Sequence, residues 1–305
     1  MDIRSALESV ADVEFRFDEP LARHTTFRVG GPVRLLARPR SEKALFALLQ
    51  PVRDFGIPFL VLGAGSNVLA PDGPCEMAVI QLDLACAKIL RAGQGAHEEA
   101  VLSAGAGIRL QKLLRHCIEN GLGGLESLAG IPGTLGGALV MNAGTPSGTV
   151  SDHLLQVDLL DADGRRRQIS RQELNPGYRT MGIPAGSIVL GACFRLAPCP
   201  GDVLKARAEE IVRNRRRTQP LRYPSAGSVF KNPPGQFAGA LIEKAGLKGC
   251  RLGGAEVSRK HANWIVNRGS ARAGDIVNLI EKIENEIFKT FGVRLEREIR
   301  ILDQL

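Results

Sequence analysis

Three stretches of this chain hold residues whose types and spacing could do chemistry. The densest is Gly130-Ile131-Pro132-Gly133-Thr134-Leu135-Gly136-Gly137-Ala138-Leu139-Val140-Met141-Asn142-Ala143-Gly144, where five glycines crowd around one proline and a short apolar run. Glycine packs no side chain and loses more backbone freedom on folding than any other residue, so this segment cannot be helix or strand throughout. Two readings stand: successive backbone N–H groups gripping an anion such as a pyrophosphate, or a set of tight turns in a β-rich domain. The second stretch is Ser225-Ala226-Gly227-Ser228-Val229-Phe230-Lys231-Asn232-Pro233. Ser228 there is either a turn residue or a proton donor, and no G-x-S-x-G elbow marks it as a nucleophile. The third is Val293–Ile301, read as a strand. Its alternation points Val293, Leu295, Ile299 and Ile301 one way and Glu296, Glu298 and Arg300 the other. That shared face of carboxylate and guanidinium is either a solvated outer face or a reactive one, and periodicity does not choose between Glu296 and Glu298.

The elements that must position these residues fall into three consecutive regions. Residues 1–84 hold a strand-like Thr26-Phe27-Arg28-Val29, then a helix opened by Ser41 with Ala44, Leu45, Leu48, Leu49 and Val52 on one face. A strand, Phe59-Leu60-Val61-Leu62, runs into Gly63-Ala64-Gly65-Ser66-Asn67. A Rossmann fold needs a helix after such a turn, but Pro71, Gly73, Pro74 and another strand follow, so that fold is rejected. Residues 85–200 begin with β-like runs around Ile89 and Val101. After Gly105-Ala106-Gly107 comes a helix with Leu110, Leu113, Leu114, Cys117 and Ile118 at helical spacing, stopped at Asn120-Gly121, and later strands lie around Leu155–Leu160 and Ser187–Leu196. Residues 201–305 hold a basic helix and a long helix near 271–291 with Ile276, Ile280, Ile283, Ile287 and Phe291 on one stripe, ended by Gly292. Small strands and helices in this succession predict an α+β fold.

With 305 residues, 44% of them hydrophobic, the chain can fill two or three ordinary cores. Its formal charge of +8 favours an anionic partner, yet one Trp and two Tyr are too few for stacking platforms, which argues against single-stranded nucleic acid. The basic run Arg213, Arg215, Arg216, Arg217 reads equally as a phosphate-contacting cluster or a solvated helix face. No stretch approaches the ~18 apolar residues that span a membrane, and the opening MDIRSALESVADVEF lacks the apolar core of a signal peptide, so a cytoplasmic protein is expected. Cys75, Cys86, Cys117, Cys193, Cys199 and Cys250 lie far apart, with no C-x-x-C pair and no histidine at ligand spacing. They are expected to be reduced packing residues, with no metal site.

The motifs taken in order carry a resemblance. His24-Thr25-Thr26-Phe27-Arg28-Val29-Gly30-Gly31, Gly63–Asn67, Gly130–Gly144, Gly177-Tyr178-Arg179, Ala226–Pro233 and Leu295-Glu296-Arg297-Glu298-Ile299-Arg300 together resemble the UDP-N-acetylenolpyruvoylglucosamine reductase (MurB) family over almost the whole chain. The compact run from Asn232 through Gly249, without inserted strands, is similar to its shorter subtype.

The resemblance implies a PCMH-type FAD-binding unit in two parts, residues 1–84 and 85–200, followed by an α+β substrate-binding domain, residues 201–305. It implies FAD held at Gly63, Ala64, Gly65, Ser66, Asn67, Ile131, Pro132, Gly133, Thr134, Gly137 and Ile188. No His or Cys stands in an attachment motif, so the flavin is expected to be non-covalent. NADPH would reduce the flavin, which would pass a hydride to the enolpyruvyl double bond of a UDP-sugar and yield UDP-N-acetylmuramate for peptidoglycan, and so for cell shape and division. Hydride addition leaves negative charge beside the carboxylate, so the site must stabilise an enol-like species and supply a proton. By motif position Arg179 and Glu298 polarise the carboxylate and Ser228 donates the proton, with Lys231 as a basic neighbour. Tyr178, Asn232, Lys248, His261 and Arg300 match substrate-contacting positions, and a monomer is implied.

Two positions depart from the family pattern. Met181 stands where a serine usually follows the Tyr-Arg motif, altering the hydrogen bonding expected around Arg179. Glu256 stands where glutamine is usual, adding negative charge near an anionic ligand. The alternative is another flavin oxidoreductase of the same superfamily acting on a different small molecule, which would have no reason to keep Arg179, Ser228 and Glu298 together. A non-catalytic nucleotide-sugar binder would leave the glycine loops unexplained.

Overall fold

The computed structural model describes residues 3–83, 87–91 and 100–302, with 87–91 described by backbone alone. Cys86 lies outside them. Helices and strands are interspersed throughout, as an α+β fold requires. Two compact units form, interleaved along the chain: one from residues 1–16, 36–63 and 77–214, the other from 17–35, 64–76 and 215–305. A four-stranded sheet in the order Val13–Pro20, Pro32–Pro39, Cys75–Ile80, Phe59–Val61 contains three of the five crossings, since three of its strands pass from one unit into the other.

The first unit is built on an antiparallel sheet in the order Arg166–Ser170, Leu154–Leu160, Ile188–Pro198, Ala100–Gly105, Ala87–Arg91. The helix Leu110–Glu119 covers it through Leu110, Leu113 and Cys117, and ends as its pattern demands, with Asn120 as cap and Gly121 at φ 64°. Burial among these apolar side chains pushes the Cys117 thiol up to about 12, so it is an inert packing group. The helix Glu42–Asp54 is capped by Ser41, whose hydroxyl accepts the Ala44 N–H at 3.1 Å, and it buries Ala44, Leu45, Leu48, Leu49 and Val52.

The second unit gathers its core under the helix Ala273–Phe291, whose stripe Ile276, Leu279, Ile280, Ile283 and Ile287 packs on the three-stranded sheet Arg251–Leu252, Ala255–Val257, Ile265–Asn267. Each fully buried isoleucine contributes about 1.5–3 kcal/mol of transfer free energy. Phe291, expected on this stripe, is instead 37% exposed at the helix end, beside Gly292 at φ 68°.

Two strand expectations are corrected. Thr26–Val29 is a turn: the Arg28 N–H donates to Thr25 O at 3.2 Å and Arg28 sits at φ 56°. In Val293–Ile301 only Arg300–Ile301 is strand, paired in parallel with Val68–Leu69. The apolar side of the alternation holds, because Val293, Leu295, Ile299 and Ile301 all join the core. The polar side does not, because Val229 O accepts both the Glu298 N–H at 2.8 Å and the Ile299 N–H at 3.5 Å. Two residues thus oppose one, a bulge that breaks the period of two.

Candidate active site

In the first unit the glycine segment divides its work. Leu135 and Gly136 donate to Ile108 O and Ala106 O at 2.9 and 2.8 Å, and Gly133 O accepts from Leu110, so the segment is stitched to the loop before the helix Leu110–Glu119. A Cβ on Gly136 would meet Ala106 Cβ at 3.0 Å, which accounts for that glycine by packing. Thr134 caps the short helix Leu135–Val140 by accepting the Gly137 N–H at 3.4 Å. The amides of Gly133 and Thr134 find no acceptor among the described residues. Asn142 Oδ1 is likewise buried without a partner there. Gly63, two residues past the strand Phe59–Val61, lies so close to Thr134 that a Cβ would meet Thr134 Oγ1 at 2.6 Å, and Gln81 Nε2 donates to Gly63 O at 3.2 Å. Ile131 is half-buried against the core, Pro132 and Gly137 are exposed, and Ile188 is buried opposite Leu160 in the sheet.

The same unit carries a tight turn at Gly177–Thr180, closed by the Gly177 N–H to Thr180 O at 2.8 Å. Arg179 occupies the left-handed region at φ 61°, unusual for a side chain with a Cβ and a mark of a constrained position. Its guanidinium lies 5.2 Å from the centroid of the exposed Tyr178 ring, and its Nε is shielded from solvent. Asn142 Nδ2 holds the turn at Gly177 O, 3.1 Å away. Met181 is fully buried in the apolar core. It anchors the turn by packing and offers no hydrogen bond of the kind a serine would.

In the second unit, Ala64–Asn67 continues from Gly63. Gly65 is dictated by contact: at φ 62°, a Cβ would meet His24 O at 2.0 Å. Its carbonyl accepts the Thr26 N–H at 2.9 Å, while the amides of Ala64 and Gly65 find no acceptor among the described residues. Asn67 binds the last segment twice, its Nδ2 to Glu298 O at 3.1 Å and its carbonyl from the Arg300 N–H at 3.0 Å. Ser228 is brought to the same place by backbone pairing. Phe230 bridges Arg297, the Lys231 N–H reaches Glu296 O at 2.8 Å, and Glu298 donates to Val229 O. Ser228 is half-buried. Glu298 is half-buried with Oε2 shielded from solvent. Glu296 is exposed and forms an ion pair with Lys231, so Lys231 is occupied there.

The sequence reading missed Asn263. This buried side chain donates to Phe230 O at 2.8 Å and accepts the Phe230 N–H at 3.0 Å, and its carbonyl takes the Val229 N–H, clamping the segment that carries Ser228. No periodicity marks a lone Asn as a clamp. Asn232 Oδ1 accepts the Ala238 N–H at 3.1 Å and so closes the loop before the helix Ala238–Lys244. Lys248 pairs with Glu243 at 2.6 Å. His261 is held below the usual imidazole range by burial and by the nearby Lys248 charge, and its Nδ1 accepts the Asn263 N–H at 3.3 Å, so the neutral ring carries its proton on Nε2 as a donor. Arg300 is exposed.

Each unit carries a glycine turn whose amides find no acceptor among the described residues, a feature that suits a phosphate, and residues 33–170 match the FAD binding domain family. The class is that of a flavin-dependent protein. Residues 219–302 match the UDP-N-acetylenolpyruvoylglucosamine reductase C-terminal domain. The chain is 54% identical over 299 residues to a UDP-N-acetylenolpyruvoylglucosamine reductase of Syntrophobacter fumaroxidans, covering 98% of this chain and 86% of that one. It is 45% identical over 284 residues to the enzyme of the same name from Moorella thermoacetica, covering 93% and 92%. The crystal structure of the MurB of Thermus caldophilus superposes with a TM-score of 0.77 at 37% identity, covering 95% of this chain and 98% of that one. The chain belongs to the UDP-N-acetylenolpyruvoylglucosamine reductase family. A berberine bridge enzyme variant shares the fold alone, at 17% identity and a TM-score of 0.50.

Proposed function

We infer that this chain reduces the enolpyruvyl ether of UDP-N-acetylglucosamine to UDP-N-acetylmuramate, with its FAD bound non-covalently by the two glycine turns. When bound, FAD would supply the hydride chemistry that links NADPH to the enolpyruvyl double bond. The amides of Ala64, Gly65, Gly133 and Thr134 would meet the diphosphate of the cofactor, with Gly63, Ser66, Asn67, Ile131, Pro132, Gly137 and Ile188 around it, and the free amides support that assignment. The substrate side falls to Arg179 and Glu298, which would hold the carboxylate as negative charge develops beside it, and to Ser228, whose hydroxyl would give the proton.

The observation that carries this reading is the pairing of Val229 with Glu298, with Asn67 bound to the Glu298 carbonyl. It supports one locus for proton donor, carboxylate and cofactor turn. Tyr178, Asn232, Lys248, His261 and Arg300 would bind the UDP-sugar, Lys248 and Arg300 by charge. We further propose residues 1–84 and 85–200 as the cofactor-binding portions and 201–305 as the substrate-binding portion of a cytoplasmic monomer serving cell shape and division. No helix among the described residues is long and apolar enough to cross a membrane.

The test is optical. The purified protein is expected to show flavin absorption that bleaches anaerobically with NADPH and returns on adding the enolpyruvyl sugar. A colourless protein that takes up no added FAD rules the reading out.

A further inference from the structure

The sheet Arg251–Leu252, Ala255–Val257, Ile265–Asn267 gathers a cluster that the proposed reaction does not use. Its register sets Arg251 opposite Glu256 and Ala255 opposite Asn267, which brings Arg268 in from the far strand. Arg259 follows three residues after Glu256. The Glu256 side chain is 4% exposed, and three guanidinium groups converge on it through the same atom. Arg251 Nε hydrogen-bonds Oε2, Arg268 Nε lies 3.6 Å from Oε2, and Arg259 Nε lies 3.9 Å from Oε1.

A guanidinium that spends its Nε edge on a carboxylate keeps its terminal Nη donors for another acceptor. Here Arg251 does so, while Arg268 and Arg259 approach the same carboxylate as ion pairs, with side chains 54%, 35% and 78% exposed for Arg251, Arg268 and Arg259. One carboxylate against three guanidiniums leaves an excess of two positive charges. Two further contacts fix the donors in place. Arg268 stacks 4.2 Å from the centroid of Tyr223, and Arg259 lies so close over Gly249 that a Cβ there would meet its guanidinium carbon at 2.9 Å. Gly249 stands at φ 78°, so the backbone itself leaves that space.

We propose that Arg251, Arg259 and Arg268, oriented from beneath by Glu256, form a binding site for a multiply charged phosphate group. A fork-shaped donor matches phosphate oxygens in pairs, and a buried anchor removes the side-chain freedom that surface arginines otherwise lose on binding. The glutamic acid at position 256 then orients positive charge, whereas a bare negative charge there would repel an anion. Phosphate of this kind comes from the 2′-phosphate of NADPH, from the diphosphate of the UDP-sugar, or free from solution. Only the choice among these sources rests on the proposed function.

The experiment titrates the flavin-loaded protein calorimetrically with inorganic pyrophosphate, comparing wild type with the Arg251→Ala/Arg259→Ala double variant and with Arg259→Lys. The double variant is expected to bind at least about tenfold more weakly, and the lysine variant to fall between, since a point charge replaces a fork. Melting temperature and flavin absorption check that each variant is folded. Stopped-flow then names the source. A loss of rate with NADPH but not NADH assigns the 2′-phosphate, a raised UDP-sugar requirement with either donor assigns the diphosphate, and no change in either half-reaction assigns free phosphate. Pyrophosphate affinity equal in wild type and a folded double variant overturns the proposal. In protein that takes up no flavin, the difference between wild type and the double variant still reads this site, with melting temperature as the fold check, so its outcome is separate from that of the flavoenzyme reading.

Discussion

Arg179 is held by a turn closed on itself, whereas Ser228 and Glu298 are held by segments distant in sequence that meet through backbone hydrogen bonds. In the turn, the residue proposed to act is itself the strained one, at φ 61°, over a buried Met181. In the paired segments, amides and carbonyls of Val229, Glu298 and Asn67 do the holding, with Asn263 as clamp. Side-chain identity is therefore coupled to local stability at Arg179 and nearly uncoupled from it at Ser228 and Glu298. That difference can be tested at each end.

The largest effects are expected where chemistry is separable from fold. Ser228→Ala is expected to slow flavin reoxidation by the enolpyruvyl sugar ~10²–10⁴-fold while reduction by NADPH and the melting temperature stay unchanged. Glu298→Gln is expected to behave in the same way. Stopped-flow traces of both half-reactions decide, and equal slowing of the two would return Ser228 to the role of a turn residue.

Next comes the anchor under the turn. Met181→Ser empties part of a fully buried site and inserts a hydroxyl, at an expected cost of about 2–5 kcal/mol in denaturant unfolding. An unchanged midpoint would mean that the turn does not depend on its packing.

Arg179→Gly sharpens the contrast at smaller scale. Glycine adopts positive φ without penalty, so stability is expected to hold or rise by up to about 1 kcal/mol while turnover of the enolpyruvyl sugar collapses. Lower stability together with lower turnover would erase the distinction between the two regions.

The smallest effect is expected at Glu296. It is an exposed partner of Lys231, and such pairs contribute ~0–1 kcal/mol, so Glu296→Gln is expected to leave steady-state rates unchanged. Should Glu296→Gln be crippled and Glu298→Gln active, the carboxylate role would move two residues along the chain.

Much of the architecture was legible in the chain itself. Ser41 and Asn120-Gly121 bounded their helices because capping is local chemistry, and the isoleucine stripe of Ala273–Phe291 was readable because a helix repeats its faces at fixed spacing. The prolines after Gly63–Asn67 excluded a following helix, and the motifs in order pointed to the family. Glycine density marked both turns but did not say why each glycine was there. Gly65 and Gly136 answer to protein contacts at 2.0 and 3.0 Å, while Gly133 leaves an amide free.

Tertiary structure alone decided the rest. Alternation along Val293–Ile301 treated Glu296 and Glu298 alike, whereas the fold leaves Glu298 half-buried with Oε2 shielded from solvent and Glu296 exposed in an ion pair with Lys231. Glu256 read as an isolated negative charge until sheet register set Arg251 and Arg268 around it. Asn263 carried no signal at all, since its partners lie in another part of the chain. Periodicity and capping record only neighbours within one element. Which distant segments meet, and so which carboxylate is buried and which arginines converge, is settled when the chain closes on itself and every buried amide must find a partner.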